Sequence, residues 1–318
     1  SDNWFRPVQF ANGPDGALYI LDMYREVIEH PDSIPPAIKK HLDLTSGRDR
    51  GRIWRLVRED WKRTPPTDLS KLSTDELISC LGNVNGWTRT TASRLLYERF
   101  TPDVAAALQQ SAERGNLSPI ALYHHLHLLA ASPKTGDALI AKCLSHPSAP
   151  LRAAALHICG RQARSQFAPQ AAQLLSDEDP FVRRAAALAL STLGAESYLE
   201  PLAKLALRDA RDPYTRYAVL LCAAGTSGRL AESLVRQPEF LASPDRRLLL
   251  ETLAGVFRRE QRAAGTGTPG RPEANQRESS LQSLLTAMKY LCDQEPSLAI
   301  DFYYALSPER GSPFAKRL

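Results

Sequence analysis

The chain has 318 residues, 43% hydrophobic and 24% charged, an ordinary globular composition with length for two or three domains and a substantial core. Its net charge of +5 is the small difference between 40 basic and 35 acidic residues; with no dense cationic block, that balance speaks against nucleic acid as a partner. No apolar run approaches the ~18 residues of a membrane-spanning helix, and the start carries no secretory leader pattern.

The sequence opens as though inside a folded unit, so it reads as a fragment or a processed piece. Phe5–Phe10 is a first candidate strand. Gly13-Pro14-Asp15-Gly16 is dense turn chemistry, since proline fixes one φ and glycine accepts the positive φ of a tight reversal. The apolar, aromatic and β-branched run Ala17–Leu21 comes next as a second strand ending at Asp22, and Arg52–Val57 is a third. Three short strands cannot bury a sheet face by themselves. The β segment, residues 1–57, therefore implies a larger sheet.

A linker at 58–69, containing Arg58–Pro66, separates the strands from a run of helices. Ser73-Thr74-Asp75-Glu76 is a capping box ahead of an apolar run and starts the first helix. Four later breaks share one form: Ser118-Pro119, Asp179-Pro180, Asp212-Pro213 and Ser243-Pro244. Each offers an N-cap oxygen and then a proline that loses nothing at the first helical position. Arg152, Arg183, Arg216 and Arg247 recur every 31–33 residues, and Arg89 lies two such periods before Arg152. A fixed period of this size marks a solenoid of helical pairs. Val182, Ala186, Ala189 and Leu193 form one apolar face of the best repeat. The pattern resembles the short HEAT-type repeats of bacteria. The expected fold class is thus mainly α, a HEAT-like α-solenoid over 70–260 preceded by a short β segment. A flexible polar loop is expected at 261–280, and a further, truncated helical repeat at 281–318.

The five cysteines, Cys80, Cys143, Cys159, Cys222 and Cys292, form no C-x-x-C pair, so neither a zinc ribbon nor a haem-attachment site is present. Most read as buried small hydrophobes.

The opening stretch carries a resemblance. Phe5-Arg6-Pro7-Val8, Gly13–Tyr19, Asp22-Met23-Tyr24-Arg25, Ile28-Glu29-His30-Pro31 and His41–Leu56 keep an order and spacing similar to the last propeller blade of the large membrane-bound dehydrogenases of planctomycetes and verrucomicrobia. Those proteins join a propeller, similar to that of soluble quinoprotein sugar dehydrogenases, to a HEAT-like region and often to a c-type cytochrome domain. The resemblance implies pyrroloquinoline quinone (PQQ) and Ca²⁺ in the parent protein, with haem c downstream, upstream blades and a cytochrome or other protein as partners, and a periplasmic or cell-envelope location. It assigns no catalytic base to this sequence, which taken alone is expected to be catalytically silent.

Within the resemblance, Asp22, Tyr24 and Arg25 lie after a strand at the level where propeller loops reach the functional face, and His30 lies in a Glu-His-Pro loop. Arg48, Asp49 and Arg50 make a charged turn whose guanidinium groups suit a cofactor carboxylate. These residues are the cofactor-binding candidates; their alternative role is to form ion pairs that staple the 22–51 loop to its blade. His124 and His127 share a helical face but lack a third ligand at metal spacing, so no metal site is expected. The repeat arginines are expected to pair with acids such as Asp179 or Asp212. Two functions fit: the docking arm of a quinone-dependent sugar or polyol dehydrogenase, or a non-catalytic HEAT-repeat interaction scaffold.

Overall fold

The computed structural model describes residues 3–62, 65–115, 117–131, 136–263 and 274–306. The chain divides into two compact units, 1–135 and 136–318.

In the first unit, β1 (Pro7–Asn12), β2 (Leu18–Asp22) and β3 (Arg52–Leu56) form an antiparallel sheet in the order β1-β2-β3. All three expected strands form, with ends displaced by at most two residues. The β1–β2 reversal is built as its sequence dictates. Gly13 N–H donates to the Ala17 carbonyl at 2.8 Å, Gly16 takes φ +81°, and the Asp15 carboxylate accepts from Ala17 N–H and the Tyr19 hydroxyl. Register places Phe10, Ile20 and Trp54 side by side across the three strands, with Leu18 opposite Leu56. Phe10, Trp54 and Leu56 remain exposed, so this apolar face is not covered by the described residues.

The connection from β2 to β3 contains a 3₁₀ turn at Pro31–Ser33 and the short helix α1 (Pro36–Lys39). Beyond the strands come α2 (Thr74–Cys80), α3 (Gly86–Glu98), α4 (Pro102–Glu113) and α5 (Pro119–Leu129). The Ser73–Glu76 capping box is formed in both directions. Asn85 caps α3 through Trp87 N–H and donates its side-chain amide to the carbonyls of Gly13 and Pro14 at 3.0 and 3.2 Å. That residue ties the sheet's turn to the first helices. The stretch expected as a linker, 58–69, consequently runs within one compact unit, and the division of the chain falls after Thr135.

The second unit contains α6 (Asp137–Leu144), α7 (Ala149–Arg161), α8 (Ala168–Gln173), α9 (Pro180–Leu193), α10 (Leu199–Arg208), α11 (Pro213–Cys222), α12 (Ser227–Val235), α13 (Arg246–Ala263), α14 (Ala274–Gln294) and α15 (Pro296–Leu306). One layer stacks α7, α9 and α11; a second stacks α10, α12 and α14, and α13 packs on α15. This alternation is what repeating helical pairs produce. Val182, Ala186, Ala189 and Leu193 are buried between the layers, as their spacing predicts. A methyl group on Gly160 would stand 3.1 Å from the Ala189 Cα, so the absence of a side chain lets α7 approach α9 closely.

The Ser118, Asp179 and Asp212 caps form as expected. Ser243-Pro244 differs: it sits in a turn, and α13 begins at Arg246. The polar stretch 261–280, expected as a flexible loop, is only partly within the described residues. Residues 261–263 and 274–280 are helical, while 264–273 lie outside the described residues, as do 307–318 of the last expected repeat. Cys143, Cys159 and Cys222 are buried, Cys80 is half-buried and Cys292 is exposed. The burial expected of most cysteines therefore holds for three of five.

Candidate functional site

Asp22 ends β2 with its carboxylate turned into the sheet, only 2% exposed. One oxygen accepts the backbone N–H groups of Arg6 and Tyr24 at 2.8 and 2.9 Å. The other accepts Trp54 Nε1 at 2.9 Å and Arg52 Nε at 3.2 Å. Burial raises the carboxyl's pKa, but the four donors, led by Trp54, outweigh it and hold the group at about 2. Four donors occupy the approximate acceptor capacity of a carboxylate, so Asp22 joins β1, β3 and the Tyr24 turn and has no oxygen left for an outside ligand. Its ion-pair partner is Arg52, not Arg48 or Arg50.

Tyr24 takes φ +49°, held there by its bond to Asp22. Its ring lies 5.5 Å from that of Trp4, with the Arg52 guanidinium 3.6 Å from its centroid. Gly47 presses against the Tyr24 carbonyl and the Trp4 ring, in a positive-φ conformation that leaves no room for a side chain. This contact brings the start of the charged turn to the Asp22–Tyr24 cluster. Arg25 donates to the Leu44 carbonyl at 3.3 Å. Arg48, Asp49 and Arg50 are exposed, and among the described residues neither arginine has an ion-pair partner within bonding distance; Arg48 acts on Asp43 only through its field. His30 is exposed and accepts the Asp32 N–H, capping the Pro31–Ser33 turn. The structure thus gathers Asp22 and Tyr24 into one cluster and leaves Arg48, Arg50 and His30 on the surface.

PQQ is a polyanionic carboxylate. Two exposed guanidinium groups fit such a ligand by charge, whereas the filled carboxylate of Asp22 does not. Among the described residues no group of three His, Cys, Asp or Glu side chains could hold a metal ion. His124 and His127 instead flank the Tyr123 ring, whose centroid is 4.4 Å from that of His127.

The repeat arginines form a ladder. Arg152 clasps Asp177 through Nε and Nη2, both at 2.8 Å, and its Nη1 donates to the carbonyls of His146 and Pro147. Arg183 clasps Asp209 at 2.7 and 2.8 Å, and its Nη1 donates to the carbonyls of Asp177 and Glu178. Pairing with an acid is as expected, but the acids differ: Asp179 and Asp212 are consumed as N-caps, and residues just before them serve the ladder. The available signal was the acid 25 residues after Arg152 and 26 after Arg183. Arg247 pairs with Asp301 and Arg246 with Glu295.

Sequence reasoning missed a surface on the layer of α9 and α11. Phe181, Tyr214 and Tyr217 are 64%, 69% and 61% exposed. The Arg184 guanidinium lies 4.9 Å from the Phe181 ring centroid and 5.5 Å from that of Tyr214, bridging the two helices. Arginine and large aromatics are the side chains enriched where proteins bind one another. The signal was present, since an aromatic residue, Phe181 or Tyr214, comes directly after each Asp-Pro cap.

Residues 1–60 match a family described as a domain of unknown function (DUF7133), and residues 136–224 match the HEAT repeats. The chain is therefore mainly helical, with HEAT repeats after a short antiparallel sheet. Neither match names a dehydrogenase or a propeller. No curated protein sequence matches the chain. Similar solved structures include the X-ray structure of YIBA_ECOLI, at 15% identity and TM-score 0.42, covering 77% of this chain and 99% of that one. The complex of CpcE and CpcF of phycocyanin lyase from Nostoc sp. PCC7120 is similar at 19% identity and TM-score 0.36, covering 79% and 98%. No single helix among the described residues is long and apolar enough to cross a membrane.

Proposed function

We propose that the chain is a protein-docking scaffold whose HEAT repeats present the Phe181–Arg184–Tyr214–Tyr217 face to a partner protein. The observation that carries this reading is the exposure of three large aromatic rings, two of them linked by one guanidinium, on the packed layer of α9 and α11. Such rings lose little conformational entropy on binding and bury a large area. The test is site-specific photo-crosslinking in the intact parent protein, with a photoreactive phenylalanine at position 217 and, as control, at the exposed position 204 of α10. A discrete adduct from 217 but not from 204 supports the reading; equal, diffuse labelling from both refutes it.

A second reading is supported by the apolar face of Phe10, Ile20, Trp54 and Leu56, which the described residues leave uncovered and which is what one blade of a larger β assembly presents to its neighbour, and by the resemblance over about residues 4–57. In it, the scaffold is the docking arm of a quinone-dependent sugar or polyol dehydrogenase in the cell envelope. When bound, PQQ would supply the two-electron oxidation, and Arg48 and Arg50 would hold its carboxylates. Titrating the intact parent with PQQ and Ca²⁺ and monitoring dye reduction with sugars and polyols tests this. Turnover lowered by Arg48→Gln and Arg50→Gln supports it, and absence of cofactor binding excludes it.

A further inference from the structure

The arginine ladder breaks at its third rung. Arg152 reaches an aspartate 25 residues downstream and Arg183 one 26 residues downstream. At those offsets from Arg216 stand Leu241 and Ala242, neither of them an acid. The nearby carboxylate of Asp245 accepts Arg211 Nε instead, at 3.2 Å. Arg216 keeps the rung's backbone contact, its Nη1 donating to the Ala210 carbonyl at 2.5 Å. In the other two rungs Nε and Nη2 hold a carboxylate. In Arg216 they have no bonding partner among the described residues.

The helical layer opens at the same place. α11 packs on α9, and α13 packs on α12 and α15. Where α11 and α13 meet α10 and α12 lies a crevice whose lining includes Arg216, Val219, Leu220, Leu234, Leu249 and Leu253. A guanidinium with its carboxylate-binding edge vacant therefore borders an aliphatic cleft. The chemistry that completes both is an acidic side chain next to an aliphatic one, delivered bidentate to the arginine as in the neighbouring rungs.

We propose that the α11–α13 seam docks a segment of a partner polypeptide that places an aspartate or glutamate on Arg216 and an aliphatic side chain in the crevice, completing the ladder from outside the chain. The proposal rests on the reading of these repeats as a protein-docking scaffold and names the chemistry of the segment recognised. The ladder itself supplies the binding geometry: the missing carboxylate is the one that Asp177 and Asp209 provide to Arg152 and Arg183.

The test uses the full chain and two dansyl-labelled, C-terminally amidated peptides, Leu-Glu-Leu-Leu and Leu-Gln-Leu-Leu, with octanoate as a competitor. The glutamate peptide should bind saturably and about tenfold more tightly than the glutamine peptide, the scale of one charge-assisted bidentate contact. Arg216→Gln should equalise the two. Ala242→Asp places an acid in the chain at the offset of the adjacent rung, at an exposed position; it should abolish the preference while leaving the melting temperature unchanged or higher. Equal affinity of the two peptides, no saturable binding, a preference undiminished in Ala242→Asp, or octanoate binding as tightly as the glutamate peptide would each overturn the proposal. The Phe181→Ala/Tyr217→Ala variant separates it from the broader reading. That variant should retain the peptide preference, so loss of partner binding alone faults the aromatic face, and loss of the preference alone faults the seam.

Discussion

Replacing Asp209 with asparagine tests whether the arginine ladder holds the repeats together. Arg183 and Asp209 are 7% and 11% exposed at their side chains and joined by two short bonds. Asparagine preserves the shape but removes the charge and one acceptor, leaving the Arg183 guanidinium buried without its counter-ion. Removing one member of such a pair costs about 3–5 kcal/mol. Arg183 retains two carbonyl acceptors at 2.9 Å, which places the expectation at the lower end, about 3 kcal/mol. For a unit of this size that is roughly 6–12 °C in melting temperature. Urea and thermal unfolding monitored by circular dichroism read the change. The rungs are also linked, because Arg183 holds the backbone carbonyl of Asp177 while the Asp177 carboxylate holds Arg152. Asp177→Asn and Asp209→Asn together should therefore depart from additivity. A loss below about 0.5 kcal/mol in the single variant, the scale of an exposed ion pair, would refute the reasoning.

Individual side chains set further outcomes. The folded-state Asp22 carboxyl, at about 2, lies below its ordinary value of 3.8; its contribution is thus complete above the unfolded value and is lost as pH falls from about 4 toward 2. Trp54 fluorescence should report opening of the sheet in that window, and an unchanged signal would contradict the assignment. Glu260 works in the opposite sense. Burial raises its pKa, against the bonds from Ser227 and Gly225, so its ionisation opposes folding and stability should fall as pH rises through the raised value; Glu260→Gln should flatten that decline in pH-dependent melts. A thiol reagent should label exposed Cys292 first under native conditions. Cys143 and Cys159, pushed up by burial to about 11, and Cys222, pushed to about 12, should react only on unfolding, and early labelling of Cys222 would contradict its placement. Gly228→Ala should destabilise by about 1–3 kcal/mol, because a methyl group there meets the Ser280 carbonyl where α12 crosses α14; unfolding in urea checks it.

The helical repeats were legible because their signals are local. Asp-Pro caps, the capping box at Ser73 and the apolar spacing of Val182–Leu193 each act within one or two turns, and all reappear in the structure. The ladder was half legible. The arginine period is in the sequence, but Asp179 and Asp212 looked like its partners until the geometry showed their oxygens bonded to the first N–H groups of α9 and α11. The choice between capping and pairing depends on which acid the next loop aims at the arginine, a tertiary property. Asp22 was picked out as a candidate by its position after β2, yet its saturation by four donors depends on Arg52 and Trp54, thirty or more residues away. The aromatic face escaped notice because Phe181 and Tyr214 belong to different repeats, and only stacking of α9 on α11 sets them around Arg184.

The most direct measurement is the affinity of the partner identified by crosslinking for the intact protein and for its Phe181→Ala/Tyr217→Ala variant, with unfolding curves confirming that both are equally folded. Two aromatic anchors at a binding centre, each contributing about 2 kcal/mol, predict a loss of roughly several hundredfold in Kd. An affinity unchanged within about threefold, less than 1 kcal/mol, would show that the partner does not bind through this face and contradict the account.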